Sequence, residues 1–141
     1  NYRMDEMHAA LGSAQLDKLP TANFRRGQLT ERYRSKLNGS SIKIPFDDQP
    51  SSLGSVYHIL PILLPDRTDR VAVIEALKTK KIQSSIHYPP FWDFSGYKDK
   101  FSPSDTPIAA EICRRQLTLP LFPTMTEDEV DKVCDVLLEA L

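Results

Sequence analysis

The sequence predicts an α+β fold, an α/β sandwich in which helices cover a small sheet. Three observations predict it. Apolar residues recur at three- and four-residue steps in several stretches, which is the period of one helix face. Short apolar or alternating runs of strand length stand between those stretches. Turn and cap residues separate the two kinds, and no internal repeat or low-complexity segment argues for a solenoid or a disordered chain. A chain of 141 residues with 40% hydrophobic side chains is one domain's worth and long enough to bury a core.

Met4, Met7, Leu11 and Ala14 share one face of a first helix that runs to about Leu19. Pro20 is expected to end it, because the residue before a proline is biased away from helical dihedrals. A second helix is expected from about Ala22 to Leu37, with Phe24, Leu29, Tyr33 and Leu37 as its apolar stripe and Asn38-Gly39 as its stop. Ser41 to Pro45 reads as a short strand and Asp47 to Gly54 as a polar loop. Val56 to Leu64 is apolar on both alternating sets, as in a strand covered on both faces. Pro61 cannot donate a ladder bond, which places it at an edge or a break. Asp66 or Thr68 caps a helix through Lys80, with Val71, Ile74 and Leu77 turned inward. Ile82, Ser84, Ile86 and Tyr88 alternate with Gln83, Ser85 and His87, which predicts another strand.

A Pro-Pro-Phe-Trp loop follows and extends to about Thr106. Thr106-Pro107 starts a helix, with proline at the first helical position. Thr118 to Leu121 is a last short strand. Thr126 and Glu129 form a capping box, and Val130, Val133, Leu137 and Leu141 are the core stripe of a terminal helix.

The charge balance excludes some partners. Eighteen basic and nineteen acidic residues nearly cancel and are interspersed, so neither nucleic acid nor an anionic membrane surface is expected to bind. The longest apolar stretch, Ile59 to Leu64, is far too short for a membrane span. No signal peptide is read at the start. Cys113 and Cys134 are the only cysteines and form no CxxC pair, so a reducing, cytoplasmic setting is expected. Cys134 falls on the apolar face of the terminal helix and reads as a small core residue.

No catalytic motif complete in itself is present: no G-x-S-x-G, no H-E-x-x-H and no glycine-rich phosphate loop. His8, His58 and His87 lie on different elements without ligand spacing, so no metal site is expected. His87 sits on the polar face of its predicted strand just before a rigid Pro-Pro turn, an arrangement suited to aiming a side chain into a cleft. It reads equally well as an ordinary exposed histidine. Phe91, Trp92, Phe94 and Tyr97 either line that cleft or pin their loop to the domain. Asp5 and Glu6 suit the first turn of a helix, where the dipole favours anions.

Three segments together carry a resemblance. The first runs Asn1-Tyr2-Arg3-Met4-Asp5-Glu6-Met7-His8-Ala9-Ala10-Leu11-Gly12 and on to Leu19. The second is Ile86-His87-Tyr88-Pro89-Pro90. The third is Leu117-Thr118-Leu119-Pro120-Leu121-Phe122-Pro123, followed by Thr126 to Val130. In order and spacing they resemble the C-terminal third of the DegT/DnrJ/StrS-type sugar aminotransferases. The resemblance implies the small C-terminal domain of a fold-type I pyridoxal-phosphate (PLP) enzyme across residues 1–141. Residues 1–38 would be leading helices packed on a large domain that this chain does not contain.

The same resemblance implies a homodimer with active sites built from both subunits. The reaction implied is transfer of an amino group, usually from glutamate, to a nucleotide-linked keto sugar. Asn1 matches the family's asparagine that reaches the PLP phosphate of the partner subunit, with Arg3 beside it as a further cofactor contact. His87 and Tyr88 match a segment bordering the substrate pocket. The Schiff-base lysine belongs upstream of the Asn-Tyr-Arg-Met motif, so no catalytic residue is assigned here, and the 141 residues alone are expected to be inactive and to bind no cofactor. Two alternatives remain open. One is a sugar dehydratase of the same family, in which histidine replaces that lysine. The other is a stand-alone assembly module.

Overall fold

A computed structural model describes residues 3–46, 54–98 and 100–141. The order of elements is α1 (Glu6–Leu37), β1 (Leu60–Leu63), α2 (Arg70–Thr79), α3 (Pro107–Arg115), β2 (Gln116–Leu119) and α4 (Glu127–Glu139), with single 3-10 turns at Phe91–Asp93 and Pro103–Asp105. The fold is α+β.

The leading segment is one helix rather than two, because Pro20 lies inside α1. Proline removes one helical N–H and leaves the carbonyl four residues earlier, that of Leu16, without its donor. Leu16 and Pro20 both face solvent, so water meets that carbonyl and the helix continues. Asp5 caps the start by accepting the His8 N–H at 2.9 Å. Asn38 ends the helix, and Gly39 follows at φ +77°, as the Asn-Gly stop predicts.

The two ends of α1 are unlike. Leu29, Thr30, Tyr33 and Leu37 are its buried residues, whereas Met7, Leu11, Leu16 and Phe24 are exposed. Phe24 therefore does not belong to the core stripe. The buried end packs on α4, whose Thr126–Glu129 capping box forms as the sequence predicts. Val130, Val133, Cys134 and Leu137 fill the facing side, while Leu141 is exposed beyond the last turn. Arg25 Nη2 donates to the Met125 carbonyl at 3.0 Å, and Tyr33 Oη donates to the Pro120 carbonyl at 2.9 Å. Tyr57 packs closely over Gly27: its ring lies 3.1 Å from where a Cβ would stand, so a side chain there would push the ring by a few tenths of an ångström.

The sheet is smaller than expected. β1 and β2 pair antiparallel in the register Leu60↔Leu119, Pro61↔Thr118, Ile62↔Leu117 and Leu63↔Gln116. Two of the predicted strands are reduced to single bridges on the outer sides: Lys43 to Leu63 and Ser85 to Thr118. The alternation over Ile82 to Tyr88 marked a real extended segment, but among the described residues only Ser85 finds a bridge partner along it. Thr118 bonds Ser85 in both directions, at 2.8 and 3.1 Å, so its backbone groups point away from β1. Pro61 thus sits opposite Thr118 at a pair that exchanges no hydrogen bonds, and its missing N–H costs the ladder nothing. β2 begins at Gln116, two residues before the expected Thr118. The polar loop expected over Asp47 to Gly54 lies, but for Gly54, outside the described residues.

α2 is capped by Asp69, which accepts from Val71 and Ala72, rather than by Asp66 or Thr68. Val73 and Leu77 are buried and Ile74 packs partly buried against the core, whereas Val71, expected inward, is exposed. Its C-terminus closes with Ile82 N–H on the Leu77 carbonyl at 2.9 Å and Lys81 at φ 61°. This is a Schellman stop made without glycine, held by the apolar pair Leu77 and Ile82, both in the core. It sends the chain directly into the segment that carries His87. α3 starts at Pro107 as predicted, and Arg70 fixes the turn after it by donating to the Cys113 and Gln116 carbonyls at 2.5 and 3.0 Å.

Candidate functional site

The segment from Ile82 to His87, the strand β2 and the first half of α4 enclose a cavity of about 460 Å³. Ile59, Ile82, Leu119, Leu121, Met125 and Val133 give it apolar walls, and Lys81, Lys132, Glu129, His58 and His87 bring polar groups to its rim. Such a mix of apolar wall and a few polar groups is typical of small-molecule sites.

His87 is tied to β2 by two hydrogen bonds. Its backbone N–H donates to Gln116 Oε1 at 3.1 Å, and its ring Nδ1 lies 3.0 Å from Thr118 Oγ1. Gln116 Nε2 donates to the same Thr118 oxygen at 2.6 Å. Gln116 and Thr118 are each 5% exposed. They stand on one face of β2, while Leu117 and Leu119 stand on the other face, in the core. Thus the second and third sequence segments meet: the His-Tyr-Pro-Pro turn rests on the Leu-Thr-Leu-Pro strand. Sequence reading missed Gln116 and Thr118. The signal was present, since two polar residues alternate with leucines in a segment short enough to be covered on both faces.

The remaining candidate residues stand apart. Tyr88 meets His87 edge-on, with ring centroids 5.1 Å apart, but its side chain is exposed and lies outside the cavity wall. Arg3 precedes α1 on an exposed stretch and is not part of that wall. Asn1 lies outside the described residues. The aromatic loop packs mainly on itself: Phe91 meets Trp92, Tyr97 and Phe101 edge-on at 5.2, 5.9 and 5.2 Å, and Trp92 is buried. Those contacts hold the loop together internally, and of the four rings named from the sequence only Trp92 is buried. Among the described residues no three His, Cys, Asp or Glu side chains gather as metal ligands, and no helix is long and apolar enough to cross a membrane.

PLP, the cofactor that the family resemblance implies, is anchored largely through its phosphate. Its phosphate requires several N–H donors, and helix N-termini commonly supply them. In three of the four described helices one or two of those amides serve caps, from Asp5, Asp69 and Thr126. At His87, Nδ1 and the backbone N–H are committed within the chain, which leaves Nε2 as its group without a partner among the described residues.

The fold as a whole has close counterparts. Spr1654 from Streptococcus pneumoniae, a protein assigned as a sugar aminotransferase, superposes in its PMP-form with a TM-score of 0.87 at 27% identity, over 99% of this chain and 36% of that one. DesV of S. venezuelae, solved with a ketimine intermediate, matches with a TM-score of 0.82 at 28% identity, over 98% of this chain and 37% of that one. A DegT DnrJ EryC1 StrS aminotransferase from Brucella abortus matches with a TM-score of 0.80 at 26% identity, over 97% and 36%. The 141 residues therefore span little more than a third of the length of the enzymes they match. The model of the DegT/DnrJ/EryC1/StrS aminotransferase family matches residues 1–138, and the chain belongs to that family.

Proposed function

We propose that this chain is the small C-terminal domain of a PLP-dependent aminotransferase that moves an amino group, from glutamate, onto a nucleotide-linked keto sugar. The observation that carries the reading is the family match over residues 1–138 together with whole-chain superposition on sugar aminotransferases. The cofactor's chemistry is to make the transferred amino group and the substrate carbon share one conjugated system. That chemistry belongs to residues beyond these 141, and no step is assigned to side chains of this chain.

The contributions proposed for this chain are binding and enclosure. His87 and Tyr88 border the sugar substrate. Asn1 and Arg3 reach the cofactor phosphate in the partner subunit of a homodimer, as amide and guanidinium donors. Residues 1–38 form the connection that packs against the large domain; the exposed apolar side chains of Met7 and Leu11, one turn apart on the same face of α1, support this. A cytoplasmic setting accords with two cysteines that form no disulfide.

The test is expression of the 141 residues beside the longer polypeptide that continues upstream of Asn1. The longer protein is expected to show a PLP absorbance band and glutamate-dependent amination of a keto-sugar nucleotide; the 141 residues alone are expected to show neither. A lysine adduct of PLP on the short chain sinks this reading. A histidine at the upstream lysine position, with loss of a sugar hydroxyl instead of gain of an amine, replaces it with a dehydratase.

A further inference from the structure

The polar groups beneath His87 form a closed chain with one consistent arrangement of protons. The His87 backbone N–H donates to Gln116 Oε1, which fixes the orientation of the Gln116 amide. Its Nε2 is then the end that lies 2.6 Å from Thr118 Oγ1, and an amide nitrogen only donates. Thr118 oxygen therefore accepts from Gln116. Its single hydroxyl proton needs an acceptor, and His87 Nδ1 is 3.0 Å away. In the opposite arrangement Nδ1–H would donate to Thr118, and two donors would meet on one oxygen. The hydroxyl proton would then have no acceptor among the described residues. With Thr118 only 5% exposed, water does not readily supply one.

We propose that Gln116 and Thr118 are positioning residues that hold neutral His87 with its proton on Nε2. Nε2 has no hydrogen-bond partner among the described residues, and His87 lines the cavity. The imidazole thus offers the cavity a donor, and the ligand group it receives is an accepting oxygen. This deepens, and rests on, the reading of His87 as a substrate-bordering residue. The third motif gains a purpose in the same step: Thr118 on β2 reads out the tautomer of the second motif's histidine.

The test is a long-range proton–nitrogen NMR spectrum of the 141-residue chain labelled in histidine nitrogen, at a pH where the imidazoles are neutral. Nε2–H is expected to exceed Nδ1–H at His87 by roughly tenfold or more, the factor set by leaving one buried donor unpaired. Thr118→Val, which keeps the side-chain shape and removes the hydroxyl, is expected to lower that ratio severalfold, and Thr118→Ser to retain it. His8, exposed and far along the chain, serves as the reference that should not move. An Nδ1–H tautomer in the wild type overturns the proposal, and so does an unchanged ratio in a folded Thr118→Val. Neither result depends on transaminase activity, so failure here and failure of the functional reading are separate observations.

Discussion

Arg32 and Asp131 form a two-pronged ion pair between α1 and α4, with Nε to Oδ1 at 2.8 Å and Nη2 to Oδ2 at 2.6 Å. Lys36 joins it at 3.0 Å. The hydrogen bond from Arg32, more than the Lys36 contact, pulls the Asp131 carboxyl from its ordinary 3.8 down to about 2. A carboxyl depressed in the folded state contributes stability that is present above its unfolded value and disappears as pH falls through the folded one. Asp131→Asn is therefore expected to lower Tm at neutral pH. The gap between variant and wild type should close between pH 3.8 and about 2. A calorimetric series across that range checks it; a gap that persists at the acid end contradicts the assignment.

Tyr33→Phe isolates one buried hydrogen bond. The ring is fully buried, and its hydroxyl donates to the Pro120 carbonyl, at the exit of β2. Burial, foremost, raises its hydroxyl far above the usual tyrosine range. Removing the hydroxyl leaves a part-buried carbonyl without that donor, at a cost of about 0.5–1.5 kcal/mol. Urea unfolding reads the difference, and the wild-type m-value is expected to be kept.

The two ends of α1 should respond differently to truncation. Leu29→Ala removes a fully buried side chain and is expected to cost about 2–5 kcal/mol. Leu11→Ala, on the exposed end, is expected to change the stability of the 141-residue chain by less than about 0.5 kcal/mol. In a longer protein that covers this end, the Leu11 substitution should cost more. An equal cost in both settings counts against residues 1–38 as a packed connection.

Cysteine labelling separates the two thiols. Burial, with the Asp131 and Asp135 charges adding to it, pushes the Cys134 thiol up to about 12, so the reactive thiolate is scarce near neutral pH. Cys113 is only half buried. A disulfide reagent at pH 8 is expected to modify Cys113 in the folded chain and Cys134 only after denaturant is added. Rapid labelling of both in the folded state argues against the α4 packing described.

Element types were legible where a chemical signal is local. The Thr126–Glu129 box, Pro107 at the first turn and Asn38-Gly39 each act through neighbouring backbone groups, and each appears where the sequence placed it. Pro20 misled because a proline's effect depends on whether water meets the carbonyl it strands, and exposure is not a local property. Strand extent misled for a similar reason. Ile82 to Tyr88 alternates like a strand, yet pairing needs a partner in register, and among the described residues only Ser85 has one.

The sequence by itself determined the family, through three motifs in order, and picked out His87 from a polar alternation ahead of two prolines. What it had no means to decide was how those motifs meet. Gln116 and Thr118 are separated from His87 by 29 and 31 positions, and only the bridge between Ser85 and Thr118 brings their hydrogen-bonding groups beneath its ring. A hydrogen bond acts over about 3 Å. Its partners at such separations are chosen by the packing of the sheet, not by spacing along the chain.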